Sequence, residues 1–316
     1  MGARYMGEWF EQNGALLGLA LLDGIASAAL IFMVAVGLNL VFGVLRVLNV
    51  AHGSFFAIGA YAAASLGLFL ASAGLPAWAS LLAILLAAVL TGLTLGPLIE
   101  RFLLRRIYAE ESVLQLLVTF ALFMILEDAQ KLLWGVQPVS FSGPVSMMGT
   151  VDIPFAGDVI PYNTYQVILL PAIALLTLVG LALFLRRTLT GRVIVAVTLD
   201  REAATAMGID AGRIYLLTFA FGAVLAALGG ELSAPTASLV PGVGASTIVL
   251  SFAVVATAGL GQIEGAALTA LMIGIGRSVA VTFEPELEVV VPYLIMVAVL
   301  LVRPQGLFGV PETRRI

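Results

Sequence analysis

Apolar stretches of membrane-spanning length recur along almost the whole sequence, and they restrict the chain to one fold class. A helix needs about 20 apolar residues to cross a hydrocarbon layer of about 30 Å. Hydrophobic residues make up 61% of the 316 residues and charged residues 11%, which is far from the balance of a soluble domain. The sequence therefore predicts an all-α polytopic membrane protein in which residues 1–316 form a single transmembrane domain.

Nine segments have the length and apolarity of membrane crossings, but two features complicate the count. Residues 15–22 extend the first apolar run and Asp23 interrupts it, which predicts a short interfacial helix before the first crossing. The segment 245–261 is short and follows Pro241 and Gly242, so a full crossing and a re-entrant segment both remain open. The eight or nine predicted transmembrane helices are residues 24–44, 50–70, 78–98, 113–133, 164–185, 214–233, 245–261, 266–283 and 289–302.

Arginines in the connections between these segments favour nine crossings. Cytoplasmic loops of membrane proteins carry an excess of arginine and lysine. Nine crossings place every arginine-bearing loop on one side, with an external N-terminus and an internal C-terminus, whereas a re-entrant 245–261 would move Arg303 outside. The loops predicted to be cytoplasmic contain Arg46, Arg101, Arg105, Arg106, Arg186, Arg187, Arg192, Arg201, Arg213, Arg303, Arg314 and Arg315.

The connection 134–163 is the only long loop that this orientation leaves outside. It contains Pro138, Pro144, Pro154 and Pro161, and proline is typical of turns. A plain connecting loop and a contact surface for a soluble partner both fit this composition, and we expect the plain loop.

The connection 186–213, predicted to be cytoplasmic, contains a polar island between two apolar runs of membrane length. Asp200 is a typical N-cap residue, good helix formers follow it, and Gly208 is a natural helix stop, so a short surface helix is predicted. Such a helix suits docking to a cytoplasmic partner, although an ordinary amphipathic loop helix gives the same pattern. The candidate docking residues are Asp200 and Gly208 at its ends, Ala203, Ala204 and Ala206 on a small face, Arg201 and Glu202 at the rim, and Met207.

Polar residues at membrane depth are costly unless they face protein or water, and residues 39–53 contain several. Asn39, Asn49 and His52 lie in or beside apolar sequence, and Gly53 permits close helix approach or a helix break. These four residues are candidates for lining a pathway through the membrane. The alternative is that Asn49 and His52 cap and orient a helix start, which we favour slightly for His52. A single histidine without cysteine is a poor metal site.

Arg277 lies inside the predicted helix 266–283, where an unpaired arginine costs about 2.5–3.5 kcal/mol. It therefore needs a carboxylate, backbone carbonyls or water, and Glu231 and Glu264 are the candidate partners. Arg277 either bridges helices or attracts a carboxylate group of a solute, and we favour the helix bridge.

Several function classes lack the residues that they need. The absence of cysteine excludes disulfides, thiolate metal sites and cysteine nucleophiles. The sequence has no Gly-x-x-x-x-Gly-Lys-Ser/Thr phosphate loop, no Gly-x-Ser-x-Gly and no His-Glu-x-x-His, so we expect no enzymatic activity and no catalytic residue. One lysine, Lys131, and a net charge of -4 give no basic patch for nucleic acid.

Motifs in both halves of the chain carry a family resemblance. They are Gly37-Leu38-Asn39-Leu40-Val41-Phe42-Gly43-Val44, Leu48-Asn49-Val50-Ala51-His52-Gly53, Gly59-Ala60-Tyr61, Glu202-Ala203-Ala204 with Gly208, Thr218-Phe219-Ala220-Phe221-Gly222, Gly259-Leu260-Gly261 and Arg303-Pro304-Gln305-Gly306-Leu307-Phe308-Gly309. In this order they resemble branched-chain amino-acid ABC transporter permeases of the LivH type. Gln262, Glu264 and Arg277 depart from the usual pattern, which weakens a detailed substrate assignment.

The resemblance implies a type II-like ABC importer permease in the bacterial inner membrane that binds no cofactor itself. The implied partners are a second homologous permease of the LivM type, two cytoplasmic ATP-binding subunits that use ATP and Mg²⁺, a periplasmic substrate-binding protein and membrane lipid. Residues 200–208 would then form the coupling helix that contacts the ATPases.

Leu, Ile or Val is the cargo that the resemblance implies, moved inward. The rival cargoes are urea or short amides, and aromatic or other carboxylates. The rival class is a stand-alone secondary transporter or channel, which predicts inverted internal repeats, and the sequence shows no convincing trace of them.

Overall fold

The computed structural model describes residues 2–155 and 158–309, and most of them belong to helices that pack into a bundle. The predicted all-α polytopic fold is confirmed. Arg314 and Arg315 of the predicted cytoplasmic set lie outside the described residues. Within those residues seven helices are long and apolar enough to cross a membrane: Asn13–Leu45, His52–Ser72, Ala79–Ile107, Ser112–Trp134, Tyr165–Arg187, Ala211–Ser233 and Ile263–Phe283.

The helices and strands follow one another along the chain with short connections. The elements are α1 Gly2–Leu45, α2 His52–Ser72, α3 Ala79–Ile99, a π-helical turn Glu100–Leu104, α4 Arg105–Ile107, α5 Ser112–Trp134, α6 Gly143–Met148, β1 Thr150–Phe155, β2 Asp158–Asn163, a second π-helical turn Tyr165–Leu169, α7 Leu170–Arg187, α8 Leu189–Leu199, α9 Arg201–Ala206, α10 Ala211–Ser233, α11 Val243–Ala258, α12 Ile263–Phe283, a 3₁₀ turn Pro285–Leu287 and α13 Val290–Val302.

The first helix differs from its prediction, because α1 is continuous and no separate interfacial helix precedes the first crossing. Asp23 does not interrupt it. Its carboxylate is exposed and accepts a hydrogen bond from the hydroxyl group of Tyr162 in β2. A carboxylate with a partner outside the helix does not compete for the helix backbone, so the helix continues through this position.

The last predicted crossings are helical, but two of them are short. α11 has 16 residues and α13 has 13, about 24 Å and 20 Å at 1.5 Å per residue. Both fall below the length of the seven long helices. At the positions of the nine predicted crossings, the described residues therefore form seven long apolar helices and two short ones.

The connection 134–163 forms secondary structure that the sequence did not predict, and its role as a connection rather than a contact surface for a soluble partner stays a prediction. It contains α6 and an antiparallel hairpin in which Thr150 pairs with Asn163 and Phe155 with Asp158. Backbone hydrogen bonds between Val139 and Leu239 join it to the connection that follows α10. The hairpin packs on α1, since a side chain on Gly18 would meet Phe155 and Ile160.

α10 lies at the centre of the bundle and packs against α1, α2 and α3. Small residues allow these contacts: a Cβ atom on Gly59 of α2 would lie 2.6 Å from the Ala227 carbonyl oxygen, and one on Gly96 of α3 would lie 3.0 Å from Ala220 Cα. Close backbone approach is the main source of helix adhesion in a membrane, where helices gain little from the hydrophobic effect.

Two helices begin inside the bundle rather than at its end. α1 ends at Leu45, yet a Cβ atom on Gly37 would lie 3.1 Å from Nε2 of His52, the first residue of α2. The distance from Gly37 to Leu45 is about 12 Å along a helix. α11 begins beside this point, because a Cβ atom on Gly53 would lie 2.5 Å from the Gly244 carbonyl oxygen. The connections before α2 and α11 therefore reach into the bundle.

Candidate functional site

The predicted surface helix in the connection 186–213 is confirmed as α9. Asp200 is its N-cap, with a side-chain oxygen that accepts a hydrogen bond from the Ala203 backbone N–H at 3.0 Å. Gly208 follows the helix with a φ of +86°, a left-handed conformation that glycine adopts without steric cost. Local sequence signals thus fix both ends of the helix.

Most of the candidate docking residues are exposed, but one is not. Arg201, Glu202, Ala203, Ala206 and Met207 face outward, and the Met207 side chain is 84% exposed.

Ala204 is the exception, because it is 6% exposed and belongs to a buried apolar cluster that includes Val197 and Ile214. The predicted small docking face therefore loses its central alanine. Ala204 instead packs α9 against the bundle.

α9 is connected to the rest of the bundle through a chain of aromatic residues that the sequence did not single out. The guanidinium carbon of Arg201 lies 5.2 Å from the ring centroid of Tyr215 in α10. Tyr215 contacts the ring of Tyr108 edge-on, and the Tyr108 hydroxyl group donates to Glu100 at 3.0 Å. Burial and the neighbouring Glu100 carboxylate raise the pKa of Tyr108. The chain therefore leads from α9 to the π-helical turn that follows α3.

α8 adds an apolar surface beside α9, and it was not predicted. Thr188 caps this helix by accepting a hydrogen bond from the Gly191 N–H at 3.0 Å. Ile194 and Val197 pack inward, whereas Leu189 and Leu199 at the two ends are more than four-fifths exposed. Leu199 directly precedes the N-cap of α9, so Leu199 and Met207 place exposed apolar side chains at the two ends of this charged helix.

Asn39, a candidate for the pathway, has both amide atoms occupied. Its Nδ2 atom donates to the Gln262 carbonyl oxygen at 2.8 Å, and its Oδ1 atom accepts from the Gly261 N–H at 2.6 Å. The side chain thus holds the turn between α11 and α12 against α1. This arrangement makes Asn39 a positioning residue.

Asn49 and His52 are buried and do not cap α2, so the alternative that they cap the helix start was wrong. Ala51 is the N-cap and makes no side-chain hydrogen bond. The backbone of Val34 lies near the imidazole, but neither His52 nitrogen nor either Asn49 amide atom makes a hydrogen bond of normal geometry within the described residues. Polar groups without partners inside a bundle are energetically costly.

Gly53 takes part in a helix contact. The close approach of Gly53 and Gly244 joins the starts of α2 and α11, and Ile248 completes the contact. Gly53 therefore belongs to a close helix contact, one residue after His52 at the start of α2. We call this contact the α2–α11 junction.

Arg277 has partners other than the predicted ones. Its guanidinium group forms an ion pair with Glu288 and donates to the Ser27 hydroxyl group at 3.4 Å. Glu264 instead pairs with Arg186 at 2.6 Å. Glu231 is fully buried near the Ala88 backbone, without a hydrogen bond of normal geometry in the part of the chain that the structure describes. In the sequence, Glu288 is marked only by its position in the acidic connection between α12 and α13, which also contains Glu284 and Glu286.

Comparison with known proteins identifies the family to which this geometry belongs. Residues 20–300 match the model of the family described as the permease component of branched-chain amino acid transport systems. The chain belongs to this family. The permease is a multi-pass protein of the bacterial inner membrane, and its family role is transport.

Curated relatives of the permease match most of its length. BraD of Pseudomonas aeruginosa, a high-affinity branched-chain amino acid transport system permease protein, is 28% identical over 94% of this chain and 97% of its own. LivH of Escherichia coli, with the same description, is 25% identical over 93% and 96%. The fructose import permease protein FruG of Bifidobacterium longum is 28% identical over 79% and 75%. No solved structure matches the permease.

Proposed function

We propose that the permease is the membrane subunit of an ATP-driven importer that moves branched-chain amino acids inward. The observation that carries this proposal is the family match over residues 20–300, which includes both α9 and the α2–α11 junction. Two relatives of nearly equal length are named for branched-chain amino acid transport. Leu, Ile and Val are the proposed cargo.

The proposed assembly supplies the functions that this chain lacks. A second homologous permease of the LivM type would complete the translocation pathway, and a periplasmic binding protein would deliver the amino acid. Two cytoplasmic ATP-binding subunits would bind ATP and Mg²⁺, because this sequence has no phosphate loop.

α9 is the proposed coupling helix. Its exposed Arg201 and Glu202 offer charged contacts, and Leu199 and Met207 offer an apolar border. Movement of the ATPases would displace α9, and the buried Ala204 would transmit the displacement to α10. Rigid-body motion of this kind is a common basis of alternating access.

The α2–α11 junction is the proposed gate of the pathway. Irregular backbone at membrane depth is tolerated where it is buried in protein or lines a cavity, and helices that begin at this depth often surround transport sites. Separation of Gly53 from Gly244 would bring water to Asn49 and His52, whose polar atoms lack partners in the described closed contact.

Exchange of Glu202 for lysine tests the coupling role. Reversal of this exposed charge is expected to lower both amino acid uptake and its coupling to ATP hydrolysis at least about tenfold, the effect of about 1.4 kcal/mol. Uptake and ATP hydrolysis are measured in the complete transporter, reconstituted in proteoliposomes with its binding protein. Glu110→Lys is the matched control, since Glu110 is also exposed and lies between α4 and α5. Wild-type uptake by Glu202→Lys would reject coupling through α9.

The same proteoliposomes decide between cargoes and classes. Nucleotide-dependent accumulation of leucine, isoleucine or valine is expected, whereas accumulation of urea, short amides or aromatic carboxylates alone would replace the proposed cargo. Fructose is a further solute to test, because one relative is named for fructose import. Uptake by the isolated permease without nucleotide would contradict the whole proposal in favour of a stand-alone transporter.

A further inference from the structure

A polar pocket lies between α1, α12 and the connection that follows α12. It is at the end of the bundle that carries the hairpin, because Tyr162 of β2 donates a hydrogen bond to Asp23 at its edge. The pocket has a volume of about 240 Å³ and is lined by Asp23, Ser27, Arg277, Ser278, Val281, Thr282 and Glu288. We call it the Arg277 pocket.

The Arg277 pocket holds charges of both signs next to one another. Arg277 contributes a guanidinium group that pairs with Glu288 and reaches Ser27, and Asp23 contributes a second carboxylate. The side chains of Arg277 and Glu288 are 31% and 42% exposed. Ionisable residues within membrane-spanning helices usually face a protein interior or a water-filled cavity and mark a pathway for solutes.

The depth of Arg277 distinguishes this ion pair from one at the rim. Arg277 precedes the end of α12 at Phe283 by six residues, about 9 Å along the helix. Ser27, Ser278 and Thr282 line the same space, and the Thr282 hydroxyl group donates to the Ser278 carbonyl oxygen at 2.9 Å. A bridge between helices needs only the ion pair, whereas these additional donors and acceptors suit a polar ligand.

The arrangement of charges selects the class of ligand. The residues that the structure describes contain no group of three or more His, Cys, Asp or Glu side chains that could hold a metal ion. A guanidinium group binds carboxylates through paired N–H donors, and the two carboxylates attract an ammonium group. A ligand with one ammonium and one carboxylate group is therefore complementary to both halves of the pocket.

The size of the pocket limits how much of the ligand enters it. Ligand pockets usually measure about 300–1,000 Å³, so 240 Å³ is small for a whole ligand. It is still several times the roughly 30 Å³ that a water molecule occupies in the liquid. Val281 is the single apolar lining residue. The pocket thus fits the charged end of an amino acid and leaves an aliphatic side chain outside.

We infer that the Arg277 pocket binds the α-ammonium and α-carboxylate groups of the amino acid before it moves past the α2–α11 junction. The inference rests on the proposed function and extends it to a site within this chain. Arg277 binds the carboxylate, and Asp23 and Glu288 bind the ammonium group. The pocket then rejects solutes that lack either charge. Short amides and simple carboxylates are among these solutes.

Binding to the purified permease tests the inference directly. The full chain is placed in nanodiscs of phosphatidylcholine and phosphatidylglycerol, and binding of radiolabelled L-leucine is measured at equilibrium. 4-Methylpentanoate lacks the ammonium group and 3-methylbutylamine lacks the carboxylate group. Both are expected to compete about tenfold to a hundredfold more weakly than leucine, the loss expected for one charged hydrogen-bonding partner.

Substitutions in the pocket distinguish a binding site from a structural ion pair. Arg277→Gln is expected to weaken leucine binding about tenfold to a hundredfold, whereas Lys131→Gln, the control, removes a different ion-paired cation and leaves binding unchanged. The exchange of both charges, Arg277→Glu with Glu288→Arg, retains the ion pair. The exchanged pair is expected to have the thermal stability of the wild-type permease, which Arg277→Gln loses, but not to recover leucine binding.

Asp23→Asn covers the case in which Arg277→Gln does not fold. Asparagine still accepts a hydrogen bond from Tyr162 but lacks the charge that attracts an ammonium group. This variant is expected to bind leucine more weakly and 4-methylpentanoate as before.

Four results would overturn the inference, and three of them concern leucine binding. They are wild-type leucine binding by folded Arg277→Gln, recovery of leucine binding in the exchanged pair, and no leucine binding by the wild-type permease. Occupancy by phosphatidylethanolamine headgroups in place of leucine, seen when that lipid is added to the nanodiscs, would also overturn it. ATP-driven leucine uptake by the complete transporter despite any of these results would leave the proposed function intact. Absence of that uptake would reject the proposed function itself.

Discussion

Asp200 shows how much of α9 depends on one side chain. Its carboxylate accepts the Ala203 N–H at 3.0 Å and is the only side-chain cap at the start of this six-residue helix, as far as the described chain goes. Loss of an N-cap costs about 0.5–2 kcal/mol. A helix this short has few internal hydrogen bonds to offset the loss.

Asp200→Ala is therefore expected to increase hydrogen exchange at the Ala203 backbone amide by about twofold to thirtyfold, the range that the cap energy implies. Asp200→Asn, which retains the capping oxygen, is the control and should exchange almost as the wild type does. Mass spectrometry after deuterium labelling measures both. Equal exchange in the two variants would mean that the cap does not hold the helix.

Asn39 and Asn49 show why a residue type alone does not define a role. Both are buried asparagines in one stretch of sequence. The amide of Asn39 is bound to the turn at Gly261 and Gln262, whereas that of Asn49 has no hydrogen-bond partner in the described residues. The difference comes from contacts more than 200 residues away along the chain, which the local sequence does not contain.

At the scale of secondary-structure elements, the contact between α2 and α11 depends on the absence of side chains. A Cβ atom on Gly53 would lie 2.5 Å from the backbone oxygen of Gly244, and that oxygen cannot move without moving α11. Excess volume in a packed interior typically costs about 1–3 kcal/mol.

Gly53→Ala is expected to lower the thermal stability of the purified permease, with a loss in that range. Gly180→Ala is the control, because Gly180 lies in α7 with no atom within 4 Å of the added methyl group. Thermal unfolding in detergent measures both variants. A Gly53→Ala variant as stable as the control would show that the junction is not tightly packed.

The hydrogen bond between Tyr162 and Asp23 joins the hairpin to α1. Burial, and then the hydrogen bond to the Asp23 carboxylate, raise the pKa of Tyr162 above its usual value of about 10. A group whose pKa is higher in the folded state stabilises that state fully below its unfolded pKa, and this stabilisation is lost as the pH rises through the folded-state pKa.

Tyr162→Phe is expected to reduce stability by about 0.5–1.5 kcal/mol near pH 8. Above about pH 10 the difference from the wild type should become smaller, because the wild type alone loses this contribution. Thermal unfolding at pH 8 and pH 11 measures the change. A difference that is independent of pH would contradict this role of the hydroxyl group.

The sequence predicted elements whose signals are local. α9 was predicted because Asp200, helix-forming residues and Gly208 lie within nine residues. The hairpin was missed because its short strands contain Pro154 and Pro161. Their pairing, from Thr150 with Asn163 to Phe155 with Asp158, has no signal in either strand alone.

The site was predicted less completely than the fold, because its interactions depend on tertiary contacts. α1 continues through Asp23, and the carboxylate of Asp23 finds its partner in Tyr162, 139 residues away along the chain. The inward orientation of Ala204 and the pairing of Arg277 with Glu288 also depend on how helices pack. Spacing along the chain does not encode these contacts.

At the scale of the whole molecule, α5 and α7 leave most of their apolar surface uncovered. In a membrane such surface lies against lipid or against other apolar helices. In the proposed assembly, the second permease and the lipid would share this part of the exterior.

The absence of cysteine makes the predicted orientation directly measurable. Asp152→Cys, in the hairpin, and Ala203→Cys, in α9, each introduce one exposed thiol. In right-side-out vesicles a membrane-impermeant maleimide is expected to label Asp152→Cys alone, and detergent should then expose Ala203→Cys. The reverse pattern would invert the topology and with it the role of α9.

α1 remains one unbroken helix between two anchors. Asp23 fixes the first half of the helix to the hairpin, and Asn39 fixes its C-terminal end to the turn before α12. The 33 residues Asn13–Leu45 extend about 50 Å, more than the roughly 30 Å of hydrocarbon, so this helix either tilts or extends beyond the hydrocarbon on at least one side. Any change in its inclination displaces both anchors together. Through this single backbone, events at the two faces of the membrane are mechanically linked.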